Sequence, residues 1–263
     1  MKKLSFRYET EYQFSLPVSK HFYTLKIVPE TTKRQVIKVD CLEIAKSSSQ
    51  TRSRDVYGNE MIMGSILEPH DKFSFLIEGT AQVNQAVFEE NEGFLSAYRY
   101  PTELTKPTKE LEQWFQQLLE RTSFRQWEPG EQADYLYHQV YDYMEYVPGV
   151  TTVETTAGQV FQKGQGVCQD YTHLLLCLLR MAGLPGRYIV GMMLGEGYSH
   201  AWAEVNINGV WVGIDPTNDK YVDDNYIKIS QGRDYKDCIV CKGHFMGQVV
   251  QKQEIVVKVE EIT

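Results

Sequence analysis

Residues 1 to about 88 alternate apolar with polar positions in short runs. LSFRYETEYQF and KFSFLIEGTAQV alternate most regularly, while HFYTLKIVPE and QVIKVDCLEIA are rich in β-branched and aromatic residues. Period-2 patterning of this kind predicts strands. Asp55-Val56-Tyr57-Gly58-Asn59 interrupts them as a turn, with Gly and Asn able to take positive φ. Short strands separated by turns suggest a small antiparallel sandwich. Beyond residue 89 the pattern changes. EENEGFLSAYRYPTELTKPT is polar and broken by Pro101 and Pro107, and reads as a linker. Two helices are predicted next. One runs from Lys109 to Thr122, with Leu111, Trp114, Phe115, Leu118 and Leu119 on one face; the other is tyrosine-rich and runs roughly from Glu131 to Glu145. YVPGVTTVETTAGQV reads as extended chain.

From Gly164 the Gly-rich GQGV enters an apolar helix that stops at Gly183, with Pro185 just beyond. RYIVGMML, SHAWAEVNI and VWVGID read as strands, and Asn208-Gly209 between the last two is a hairpin signal. The fold class is α+β: a β-rich N-terminal domain over residues 1–95 and a mixed domain over 96–263.

Cys168 stands where the Gly-rich turn becomes a helix. Backbone N–H groups and the positive dipole end at such a place stabilise a thiolate, and can also donate to an oxyanion. Cys177, inside LLLCLL, reads as a core residue. The hairpin supplies partners for Cys168. A two-residue turn pairs Ile207 with Val210, so Asp215 lies opposite Trp202 and His200 one diagonal step away. Diagonal neighbours stand about 7–8 Å apart at the backbone, within reach of an imidazole and a carboxylate. Ala201, Ala203, Val205, Val212 and Ile214 make the opposite face the core, so His200 and Asp215 are expected to point away from it together.

GVCQDYTHL, SHAWAEV and GIDPTN resemble, in order and spacing, the three catalytic blocks of the transglutaminase-like superfamily. GRYIVGM and GRDYKDCIVCKGHFMG resemble segments that follow them in that family. HFYTLKIVPE, RSRDVYGNE and ILEPHDKFSF resemble the β-rich N-terminal region of bacterial members. The resemblance implies a papain-like α+β core and a Cys168–His200–Asp215 triad of the cysteine protease type, which forms an acyl-enzyme with a peptide or protein amide. Gln169 and Asp170 stand where the animal cross-linking enzymes carry a Trp after the nucleophile. Their calcium sites and extra β domains have no counterpart, which sets amide hydrolysis ahead of acyl transfer to amines; a non-catalytic interaction module is the contrasting class.

Around the triad, Trp202 either walls the pocket or shields the His–Asp pair, and Gln169 and Tyr146 are candidate substrate-binding residues. Gln165 and Gln169 are both candidate oxyanion donors, and the sequence favours neither. Asp170 reads as a helix-start scaffold group and His173 as a packed or surface residue. No cofactor or metal is expected: Cys238 and Cys241 have no second ligand pair at zinc spacing. The net charge of -8 argues against nucleic acid as a partner. The N-terminus shows none of the roughly 7–15 consecutive apolar residues of a signal peptide, and no run reaches the about 18 of a membrane span. A cytoplasmic enzyme with no membrane partner is the expectation.

Overall fold

A computed structural model describes residues 1–87 and 93–262. The alternation of the first residues becomes one long strand, β1 (Lys2–Leu25), which buries Leu4, Phe6, Tyr8, Thr10, Tyr12 and Phe14 on one face. Between Ser19 and Phe22 the pairing register slips, with Lys20 at φ 47°, and burial passes to the odd positions Tyr23 and Leu25. The kink lets β1 serve two sheets, as a bulge at a sandwich corner does. Then come β2 (Gln35–Ile44), β3 (Ser49–Arg54), β4 (Glu60–Ile66) and β5 (His70–Val83). The turn joining β3 to β4 is held by Asp55, whose carboxylate accepts from the N–H groups of Tyr57 and Asn59, with Gly58 at φ 89°.

The helical part holds α1 (Lys109–Glu120), α2 (Pro129–Tyr143), β6 (Glu145–Tyr146), α3 (Ala157–Lys163), β7 (Gln165–Gly166) and α4 (Cys168–Met181). It is followed by β8 (Gly186–Met193), β9 (Gly195–Gly197), β10 (His200–Ile207), β11 (Val210–Asp215), β12 (Lys220–Tyr221) and β13 (Tyr226–Gly232). The chain closes with β14 (Cys241–Met246) and β15 (Gln251–Glu261). An antiparallel sheet in the order β12-β11-β10-β8-β13 carries α4 on one face, where Leu174, Leu175 and Leu178 share a core with Ala201, Ala203, Val205 and Ile214. Among the described residues no helix is long and apolar enough to cross a membrane.

Four expectations change. First, the boundary at residue 95 does not separate two structural units. The edge of β1 that β5 leaves open is filled by β15, with Thr10 opposite Ile255 and Tyr12 opposite Gln253, and β14 pairs with the second half of β1. Residues 241–261 thus complete the N-terminal sandwich, whose core also takes Met192 of β8 with Ile227 and Ile229 of β13. Unpaired strand edges are costly, and only chain returning from the far end satisfies this one. Second, the expected linker is anchored where it is described; residues 89–92 of that stretch lie outside the described residues. Tyr98 is fully buried against Trp211, and Arg180 donates to the Tyr98 carbonyl and the Thr105 hydroxyl. Third, the stretch expected to be extended contains the start of α3. Thr156 and Gln159 form a capping box there, an S/T-x-x-Q signal present in the sequence. Fourth, the hairpin face opposite α4 is not a solvated polar face. Trp202, Trp211 and Asp215 are buried on it, as is Arg187, which pairs with Glu204 and lies over the Trp211 ring.

Candidate active site

Cys168 is the first residue of α4. The turn before it is set by Asp170, whose Oδ2 accepts from the Val167 N–H at 2.8 Å and the Thr151 hydroxyl at 2.6 Å. Gly166 is required beside it: a Cβ there would lie 2.6 Å from the carboxylate. A backbone bridge from Tyr146 of β6 to Gly166 of β7 holds the same turn from the other side. Asp170 is therefore a scaffold group, as expected; its burial pushes its pKa up. His173 is fully buried, accepts from the Tyr235 N–H at 3.2 Å, and is driven down to a pKa of about 3 by burial and then Arg180.

The hairpin register is the expected one, with Ile207 opposite Val210 and Ala203 opposite Ile214. Asn208 and Gly209 both take positive φ, at 51° and 90°. His200 Nε2 donates to Asp215 Oδ2 at 2.7 Å. The carboxylate is held by more donors than its sequence neighbourhood suggested. Oδ2 also accepts from the Asn218 amide and the Tyr226 hydroxyl, each at 2.7 Å, and Oδ1 accepts from the N–H groups of Thr217 at 3.0 Å and Asn218 at 3.3 Å. The turn donors could have been found, because Asp-Pro-Thr-Asn is an Asx-turn sequence. Tyr226 arrives from β13, across the sheet, and nothing local marks it.

Burial alone lowers the His200 pKa, but the hydrogen bond to Asp215 and the facing Cys168 thiol outweigh it and push it up to about 10. For Asp215, burial acts upward and is overcome by the His200, Asn218 and Tyr226 hydrogen bonds, so its pKa falls below the usual carboxylate value. The fold thus brings Cys168, His200 and Asp215 together as an ordered chain of acid, imidazole and thiol.

Trp202 is 1% exposed and stacks behind His200, with ring centroids 6.3 Å apart, and edge-on to Tyr226. It shields the pair and does not wall the cleft, which corrects its candidacy as a substrate-binding residue. Gln169 borders the cleft next to Cys168 and donates to the Thr152 carbonyl at 3.3 Å. Gln165 is occupied elsewhere, donating to Glu145. Tyr146 is exposed, near enough to Cys168 to sense its charge. Cys238 is buried with its thiol on the Tyr188 carbonyl, whereas Cys241 borders the cleft, so the two have separate surroundings.

A cleft of about 440 Å³ opens at Cys168, Gln169 and His200 and runs on between aromatic side chains of the sandwich. The participation of residues 1–95 in this cleft was not foreseen from the sequence.

Comparisons with known proteins agree with this architecture. Residues 4–82 match the model of the bacterial transglutaminase-like N-terminal region, and residues 116–216 match that of the transglutaminase-like superfamily core. An uncharacterized protein of Mycobacterium leprae is 25% identical over 280 residues, covering 97% of each chain. An uncharacterized protein of Mycobacterium tuberculosis is 36% identical over 121 residues, which are 40% of this chain and 38% of that one. Among solved structures, that of "a Putative Cysteine Protease from Cytophaga hutchinsonii" superposes with a TM-score of 0.80 at 20% identity, covering all of this chain and 91% of the other. Sandwich and core are both matched, and the chain belongs to the transglutaminase-like superfamily.

Proposed function

We propose that the protein is a cysteine-nucleophile amide hydrolase acting through Cys168, His200 and Asp215. The observation that carries this reading is the hydrogen bond from His200 Nε2 to Asp215, which leaves Nδ1 to serve a thiol at a helix start. The Cys168 thiolate attacks the carbonyl carbon of an amide, and backbone N–H groups of the first turn of α4 donate to the oxyanion. His200, held as the imidazolium beside its buried anion, protonates the departing amine from Nδ1. A thioester on Cys168 remains. His200, now neutral, accepts a proton from water, whose oxygen attacks the thioester; the C–S bond breaks, the acid leaves, and the Cys168 thiolate and His200 imidazolium are restored. Asp215 keeps one tautomer and orientation throughout. The substrate in this reading is a peptide or protein amide, and no step calls for a cofactor.

The test is site-resolved alkylation with iodoacetamide at pH 5.5–6, read by peptide mass spectrometry, with half-exposed Cys41 as the internal reference. Cys168 is expected to label at least about tenfold faster than Cys41, and His200→Ala to remove the difference. Equal rates at the two thiols would sink the triad. Products from peptide amides with and without a primary amine then separate hydrolysis from acyl transfer.

A further inference from the structure

The cleft at Cys168 does not end at the catalytic residues. It continues into the sandwich, where the register of β1 places two cross-strand rows along its wall. Phe75 of β5, Thr10 of β1 and Ile255 of β15 form one row; Phe73, Tyr12 and Gln253 form the next. All six border the same cavity as Cys168 and His200. Its volume of about 440 Å³ falls within the roughly 300–1,000 Å³ typical of small-molecule pockets.

Three features define what this chamber accepts. Among the described residues its lining contains no Asp, Glu, Lys or Arg, so a charged group that passes beyond the Cys168–His200 pair finds no countercharge on the sandwich side and loses its hydration. The imidazole on the sandwich side, His21, is 3% exposed, and burial followed by its neighbour His70 lowers its pKa to about 4, so it stays neutral near pH 7. Finally, Thr10 interrupts a face otherwise made of Phe6, Tyr8, Tyr12 and Phe14. Its short side chain leaves space where an aromatic ring would fill it. It is 1% exposed, and its hydroxyl, with the Tyr8 hydroxyl nearby, makes no hydrogen bond of normal geometry. Buried hydroxyls are normally hydrogen-bonded, so an unsatisfied one in a residue of the cavity wall points to a ligand that completes it.

We propose that the N-terminal sandwich is the specificity half of the site. Its chamber takes an uncharged aromatic or bulky apolar substituent of the amide substrate, and the Thr10 hydroxyl meets a polar atom of that group. The assignment rests on the function proposed above and adds the substrate class. It also explains why residues 1–25 and 241–261 are built around the same cleft: β1 and β15 supply facing wall positions that neither end of the chain makes alone.

The experiment uses the full-length protein and two readouts. Second-order inactivation rates at Cys168 are measured with N-acetyl-phenylalanine, N-acetyl-lysine and N-acetyl-aspartate chloromethyl ketones, each normalised to iodoacetamide. The phenylalanine reagent is expected to exceed both charged ones by at least about tenfold. Ile255→Trp, at a half-buried position in the cavity wall, should reduce that preference about tenfold. Thr10→Val, nearly isosteric, should reduce it severalfold. Separately, binding of N-acetyl-phenylalaninamide to the Cys168→Ser protein is followed by ligand-observed NMR, with the lysine amide as comparison. Phenylalaninamide binding that Ile255→Trp weakens supports the chamber whatever the reactivity of the thiol, so binding with an unreactive Cys168 overturns the triad and leaves the chamber standing. Reactive Cys168 with equal normalised rates for all three reagents, or a preference untouched by Ile255→Trp, overturns the chamber and leaves the triad.

Discussion

Replacing Asp215 by Asn changes one oxygen for an amide nitrogen at a fully buried site, where five hydrogen bonds converge on the carboxylate. In the better of the two amide orientations the oxygen stays at Oδ2 and keeps His200, Asn218 and Tyr226 as donors. The new NH₂ group then faces the N–H groups of Thr217 and Asn218, which have lost their acceptor. A buried donor left unsatisfied costs about 1–3 kcal/mol; Thr217 is partly buried and Asn218 exposed, so water serves part of the need and the loss is about 1–3 kcal/mol in all. That is a sizeable part of the roughly 5–15 kcal/mol of a typical domain. Thermal unfolding should therefore begin several degrees lower than in the wild type. The pH dependence adds a second signature. The His200 pKa is raised from 6.5 to about 10, so its contribution is fully present below about pH 6.5 and is lost as pH rises through 10. Asp215 has a lowered pKa; its contribution is present above its ordinary 3.8 and is lost as pH falls through the folded value. In Asp215→Asn the alkaline loss should shrink and the part of the acid loss due to Asp215 should disappear, while Cys168 alkylation falls but remains measurable because His200 is still present. Denaturant titrations from about pH 2 to about pH 11, run beside the alkylation assay, check both. An Asn variant as stable as the wild type, with the same alkaline slope, would refute the placement of this carboxylate as the anchor of His200.

Two further substitutions probe the surroundings. Cys177 is 1% exposed in the core, and burial pushes its thiol up to about 12; Cys177→Ala should cost about 1 kcal/mol and leave Cys168 alkylation unchanged, whereas Cys168→Ala should abolish turnover at nearly unchanged stability, both read by denaturant unfolding beside the labelling assay. Gly191→Ala would drive a methyl group into the Ile227 carbonyl and the Trp202 ring; the expected loss is about 1–3 kcal/mol, with a fall in Cys168 alkylation as Trp202 is pressed toward His200, and a stable, fully reactive variant would show that Trp202 does not position the imidazole.

Local signals determined much of this protein before any coordinates. The alternation of residues 4–14 decided which face of β1 is buried, because a strand's period of two leaves no freedom once one face is apolar. Asn208-Gly209 decided the hairpin register, and with it the meeting of His200 with Asp215, because a two-residue turn at positive φ aligns every later pair. Gly166 and Gly164 before an apolar run marked the helix start that carries Cys168.

The tertiary structure decided what depends on residues far apart in the chain. The hairpin face bearing His200 looked solvent-facing because Trp202, Glu204, Trp211 and Gly213 are not a uniformly apolar row. It is buried because Tyr98 and Tyr226 cover it and Arg187 pairs with Glu204 there. Trp202 therefore became a shield, not a cleft wall. Tyr226 as a donor to Asp215, and β15 as the partner of β1 across more than two hundred residues, are pairings that no periodicity encodes. The cleft itself is of this kind. Thr10 and Cys168 each look unremarkable to the other's local sequence, and they border one cavity only because the C-terminal strand closes the sandwich against the catalytic core.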